Sequence, residues 1–132
     1  MRHTILSAVA VLAMAGAAAA DPAEGVWKTE PGETGGYLQV SIAACGAKLC
    51  GTIRKAIDKD GNEVGDYEHT GKPIIKSMGA DGGGSYSGGT IWAPDTGKTY
   101  RSKMSLSGNN LTVKGCVAGG LICRGQTWRR VN

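Results

Sequence analysis

Four cysteines, one histidine and one acidic run are the features beyond residue 20 with the side chains for chemistry. Cys45 and Cys50 are spaced C-x4-C, and Cys116 and Cys123 are spaced C-x6-C. Four thiols suffice for a zinc ion, but structural zinc favours closer pairs and needs reduced thiolates. A C-x-x-C pair for thiol–disulfide exchange is absent. An even number in an exported chain reads instead as disulfides, with three connectivities open on paper. The pairs Cys45–Cys50 and Cys116–Cys123 are favoured, because a tight turn at Gly46 or at Gly119-Gly120 returns the chain between them. Loop entropy for such short loops amounts to about 2 kcal/mol and would favour a long-range crossing, so proximity decides.

His69 is the sole histidine beyond residue 20. It stands in a polar stretch with no nucleophile motif beside it, which reads as a solvated loop residue rather than a catalytic base. Asp58, Asp60 and Asn62 match the first, third and fifth positions of a calcium-binding loop. The sixth position needs Gly and is Glu63, and the twelfth needs Glu and is His69, so Asp60-Gly61 reads as a turn. Gly82-Gly83-Gly84 and Gly88-Gly89 lack the Gly-Lys-Ser/Thr ending of a phosphate loop. Tyr86, Trp92 and Tyr100 are rings with polar tips suited to lining a ligand site. Paired carboxylates, metal clusters and cofactor motifs are not recognisable, so no enzyme activity, cofactor or metal is expected.

These residues must be positioned by the part of the chain beyond an export signal. Arg2 gives a positive start, Ile5 to Met14 is apolar, and Ala18 and Ala20 suit small-x-small cleavage before Asp21. The apolar run is too short to span a membrane, which takes about 20 residues. Residues 1–20 are therefore expected to be removed, leaving residues 21–132 as one domain in the periplasm or outside the cell. The whole chain carries a net charge of +4, with Lys and Arg spread along it. A concentrated basic face with aromatic platforms is not legible, so a mixed-charge surface and no nucleic-acid partner are expected.

Short runs of period two fill this domain. In Tyr37–Ile42, Leu38, Val40 and Ile42 point one way, and Tyr37, Gln39 and Ser41 the other. Further strands are predicted at 26–30, 49–57, 73–78, 85–92, 99–106, 111–117 and 121–131. Turns are predicted at Pro94-Asp95-Thr96-Gly97 and Gly108-Asn109-Asn110. Helical periodicity is absent apart from room for a single turn near 66–70. About eight antiparallel strands must hide their edges, which favours an all-β up-and-down barrel stapled by two disulfides. Inward positions are predicted at Leu38, Val40, Ile42, Ile53, Ile74, Met104, Leu106 and Val113. Such a barrel is filled by side chains or just able to hold one small ligand.

The chain also resembles a family. Gly25-Val26-Trp27, Cys45-Gly46-x-x-Leu49-Cys50-Gly51, Gly89-Thr90-Ile91-Trp92-x-Pro94-x-x-Gly97-Lys98-Thr99-Tyr100 and Gly125-Gln126-Thr127-Trp128 are similar, in that order, to the uncharacterised exported bacterial family DUF2147. The resemblance implies a calycin-like barrel of lipocalin architecture, with no established activity. This chain departs from the pattern in a shorter, glycine-rich stretch at 58–84, and Cys116 and Cys123 lie outside the motif. Gly25-x-Trp27 further resembles the lipocalin signature, which implies that Trp27 plugs one barrel end under a basic residue of the last strand, Arg129 or Arg130. The functional expectation is an envelope protein that binds a small apolar or amphipathic ligand. The alternative is a protein-interaction module, such as an envelope protease inhibitor using Asp21–Gly25 as an arm. Oligomeric state is not legible.

Overall fold

The computed structural model describes residues 20–132, so the export segment expected at 1–20 lies, but for Ala20, outside the described residues. Eight strands run in chain order: β1 (Gly25–Lys28), β2 (Tyr37–Cys45), β3 (Lys48–Ile57), β4 (Pro73–Gly82), β5 (Ser85–Ala93), β6 (Lys98–Ser107), β7 (Asn110–Val117) and β8 (Ile122–Arg130). Each pairs with the next, and antiparallel pairing of β1 with β8 closes the barrel. Closure joins the two terminal strands, which an open meander would leave as free edges, at the base end of β8. The β1–β8 seam is short, with Trp27 opposite Arg130 and Lys28 opposite Arg129. Val26 extends it, donating to the Asn132 carbonyl at 2.9 Å and accepting from Val131 at 2.7 Å.

The seam is short because β1 ends at Lys28, whereas the sequence predicted a strand to Glu30. Thr29 keeps half of the ladder, its N–H donating to the Leu38 carbonyl at 3.0 Å, but the return bond goes to its side chain: Leu38 N–H donates to Thr29 Oγ1 at 3.0 Å. At 66–70 the chain makes separate turns, Tyr67 donating to Val64 and Thr70 to Tyr67, both at 3.3 Å, rather than a helical turn. The helical turn lies at Ala118–Gly120 instead, where Ala118, Gly119 and Gly120 all have positive φ. Both disulfides match the predicted pairs. Cys45–Cys50 ties the β2–β3 hairpin around Gly46, and Cys116–Cys123 joins residues directly opposite on β7 and β8.

The up-and-down order gives the barrel two ends. The base holds the turns β2–β3, β4–β5 and β6–β7 together with residues 21–24, and the mouth holds the other four connections. Between them the interior is packed. Trp27, Val40, Ile42, Ile53, Ile75, Met78, Met104, Leu111, Val113 and Trp128 form one buried cluster. Ile74, predicted to face inward, is buried on the outer face, and Ile75 takes the inner position. The cause is irregular β3–β4 register: Thr52 faces Pro73 while Gly51 faces Ile75, so one extra β4 residue is inserted at Ile74. A Cβ on Gly51 would lie 3.2 Å from both Ile75 and Val40, which puts Ile75 inside.

Candidate functional site

The base is built from a turn and an arginine. Asp21 Oδ1 accepts from Ala23 N–H at 2.8 Å, and Glu24 N–H donates to the Asp21 carbonyl at 2.9 Å, so residues 21–24 fold back as a tight turn. Trp27 is fully buried, and its Nε1–H donates to the Ala23 carbonyl at 2.9 Å. Arg130 lies 4.4 Å over the Trp27 ring and donates to the carbonyls of Glu24 (3.0 Å) and Pro22 (2.7 Å) and to Asn109 Oδ1 (3.1 Å). Arg129, the other basic residue the lipocalin signature brought forward, is exposed and pairs with Lys28. Gly25 has φ +142°, and a Cβ there would come within 2.6 Å of the Asn132 carbonyl oxygen. The turn 21–24 is thus held against the barrel rather than extended as an arm.

The three rings singled out as ligand residues lie in three separate places. Tyr86 is buried, and its hydroxyl donates to Asp21 Oδ1 at 2.6 Å. Burial, reinforced by that carboxylate, pushes its phenol well above the usual range. Tyr100 lies on the inner wall toward the mouth, where a Cβ on Gly115 would sit 3.5 Å from it and 3.4 Å from Ile91. Trp92 is on the outer wall. Alternation from Tyr86 places Thr90 and Trp92 on the same face as Tyr86, but the register shifts between Tyr86 and Gly89, with Gly88 at φ +79°. That irregularity reverses the alternation, so Gly89 and Ile91 face inward and Trp92 outward.

Trp92 belongs to a small cluster outside the barrel. The His69 ring meets it edge-on at 5.0 Å, and Tyr67 meets His69 at 5.4 Å. Lys72 Nζ donates to His69 Nδ1 at 2.9 Å and stands 5.8 Å over the Trp92 ring. His69 is therefore not the solvated loop residue that the sequence implied; its side chain is only 18% exposed. Beside this cluster lies a cleft of about 220 Å³. Pro73, Ile74 and Trp92 line its apolar side, and Lys72, Lys76, Thr90 and Thr99 its polar side. A larger cleft of about 510 Å³ adjoins it at Thr90 and runs over Ser87–Gly89, Arg101–Lys103 and Gly119-Gly120. Among the described residues no group of three His, Cys, Asp or Glu side chains is gathered to hold a metal.

The sequence did not reveal the cations of this wall. Lys76, Arg101, Lys103 and Lys114 are far apart in the chain and read as scattered charge, yet register collects them. Thr90 lies opposite both Lys76 and Arg101, and Lys103 lies opposite Lys114. Of the 11 acidic residues, all but Asp21, Glu24 and Asp81 lie in the mouth connections. The acidic residues therefore gather at the mouth, where Lys55 and Lys59 pair with two of them, and the wall of β4 to β7 is basic. The usable signal was cations at alternate strand positions, as at Arg101 and Lys103, opposite the buried Ser102 and Met104.

Residues 25–130 match the family described as "Uncharacterized protein conserved in bacteria (DUF2147)". The fold is similar to a solved structure of protein HP1028 from the human pathogen Helicobacter pylori, a protein described as belonging to the lipocalin family. The TM-score is 0.66 at 18% identity, over 83% of this chain and 82% of that one. At that identity the likeness is one of fold alone. No curated protein matches the chain. Among the described residues no helix is long and apolar enough to cross a membrane.

Proposed function

The chain belongs to the DUF2147 family of bacterial proteins, and on that premise we propose that it is an exported binding protein that holds a small amphipathic molecule in the cleft beside Trp92. The observation that carries this reading is the lining of that cleft. Pro73, Ile74 and Trp92 offer an apolar side, Lys72 and Lys76 two ammonium groups, and Thr90 and Thr99 two hydroxyls. Such a surface suits a compact molecule with an apolar body and an acidic or polar head. The volume of about 220 Å³ is below that of most drug-sized pockets, so the ligand is small or partly exposed. The packed interior argues against a ligand seated deep in the barrel, as does the closed base, where Gly25, Trp27 and Arg130 act as a structural plug. The signal-like segment 1–20 and two disulfides support an oxidising compartment, the periplasm or beyond.

A panel of medium-chain and aromatic carboxylates, followed by calorimetry and intrinsic fluorescence, tests the reading. Trp27 and Trp128 are buried and Trp92 is partly exposed, so a ligand in the cleft perturbs Trp92 emission. Binding is expected to be lost in Trp92→Ala and weakened in Lys76→Gln. A ligand whose affinity is the same in both variants would put the site elsewhere.

A second reading is favoured by one feature. Val117, Leu121 and Ile122 are 47%, 87% and 61% exposed at the β7–β8 tip, which the Cys116–Cys123 bridge braces. Exposed apolar side chains grouped in this way mark contact surfaces. An interaction module would dock through this tip rather than through residues 21–25. Capture of an envelope protein that Leu121→Ser abolishes, with carboxylate binding intact, would separate the two readings.

A further inference from the structure

We propose that the larger outer cleft, over β5, β6 and the β7–β8 turn, is a second binding site that takes a segment of an acidic polysaccharide. It meets the Trp92 cleft only at Thr90 and does not depend on a ligand there.

The first support is the arrangement of charge. Thr90 and Arg101 stand in register across β5 and β6 within this cleft, and Lys76 of the Trp92 cleft continues the row on β4, so that cation, hydroxyl and cation follow one another. With strands about 4.8 Å apart, the two cationic positions are about 10 Å apart at the backbone. Toward the base, Lys103 faces Lys114 directly. Like charges opposite one another destabilise a sheet, and the Lys28–Arg129 pair at the seam repeats the arrangement. A pattern that costs stability twice in one barrel points to an anion outside it.

Nothing within the described residues neutralises these cations. The ion pairs there are Lys55–Glu63, Lys59–Asp60 and His69–Glu68, none of them in this cleft. Asp81, the one acidic residue on β4 or β5, accepts from Ser87 Oγ at 2.7 Å. The other carboxylates lie in the mouth or in the basal turn, so the field over the wall is positive.

The lining then selects among anions. Gly88, Gly119 and Gly120 put no side chains into the cleft, so a chain can lie close to the backbone there. Ser87 and Thr90 bring hydroxyls to the cleft. No aromatic ring lines this cleft for bases to stack on, which disfavours single-stranded nucleic acid. The lining itself is polar, and Val117, Leu121 and Ile122 on the adjoining turn are what the vesicle arm of the experiment addresses. Separated cations with hydroxyls between them match carboxylates repeated along a sugar chain, with Arg101 able to take one of them bidentately.

The experiment is calorimetric titration of the disulfide-bonded protein with oligogalacturonate, a neutral malto-oligosaccharide of equal length, inorganic polyphosphate and phosphatidylglycerol vesicles. Oligogalacturonate is expected to bind, to weaken at least tenfold from 50 to 300 mM salt, and to bind at least tenfold more weakly to Arg101→Gln/Lys103→Gln. Lys55→Gln/Lys59→Gln, which removes the same charge from the mouth side, should bind within twofold of the native protein, as should Trp92→Ala. Equal binding of the neutral oligosaccharide, equal loss in the mouth-side control, or tighter binding of polyphosphate or vesicles than of the uronate would overturn the proposal. Lys103→Gln alone serves as a second, milder variant, and circular dichroism checks the fold of each.

Discussion

The guanidinium of Arg130 lies 4.4 Å over the ring of Trp27, and the same group holds the carbonyls of Pro22 and Glu24. One side chain therefore ties the last strand, the first strand and the turn before it. A ring-stacked, fully charged fork does this where lysine, a point charge, would not.

Arg130→Ala is accordingly expected to lose about 2–4 kcal/mol, from the cation–π contact and the hydrogen bonds together. Arg130→Lys should recover only part of that, and Arg129→Ala should stay within about 0.5 kcal/mol of the native protein. Urea unfolding followed by tryptophan fluorescence measures all three. Equal losses at positions 129 and 130 would contradict the assignment.

The Tyr86–Asp21 hydrogen bond predicts a pH dependence. Burial raises the Tyr86 phenol above its unfolded value near 10. The neutral phenol is therefore favoured by the fold: its contribution is complete below about pH 10 and is lost as pH rises beyond that. Tyr67 is raised for similar reasons, burial first, and contributes in the same direction. Tyr86→Phe should cost about 1.5–3 kcal/mol at neutral pH, as for a hydrogen bond to a carboxylate. It should also flatten the fall in stability as pH rises above about 10. Urea midpoints at several pH values, native against variant, give the answer.

Each disulfide closes a short loop, with sequence separations of 5 and 7. Removing either by Cys→Ser pairs should cost about 2 kcal/mol without unfolding the barrel, because the packed interior does not depend on them. Far-ultraviolet circular dichroism should therefore keep its β signature in the reduced protein while the melting temperature falls. Collapse to a disordered spectrum on reduction would show that the core alone cannot hold the fold.

Lys103→Glu converts a repulsive cross-strand pair into an attractive one with Lys114. It should stabilise the protein by roughly 0.2–1 kcal/mol and weaken anion binding. Thermal melts at low and high salt test the electrostatic origin, since the gain should shrink as salt screens it. A destabilised Lys103→Glu would mean that the facing lysines are not strained by their charge.

Strands, hairpins and disulfides were legible in the alternation of Leu38, Val40 and Ile42, in the glycine turns and in the cysteine spacings, because these depend on neighbours a few residues apart. The pairing of Trp27 with a basic residue of β8 was legible through resemblance. Its choice of Arg130 over Arg129 was not, since that depends on which face the seam turns inward.

Other features depended on register between distant segments. Tyr86 and Trp92 share a face by simple alternation and are divided by one irregularity at Gly88. Ile74 and Ile75 exchanged roles through one inserted residue opposite β3. Lys76, Arg101, Lys103 and Lys114 became one basic wall because four strands brought them side by side. The linear order of residues determined the barrel and its staples through local periodicity. Only the closed sheet decided what faces in, what faces out and where charge gathers, because one residue's shift in register turns every side chain after it to the opposite face.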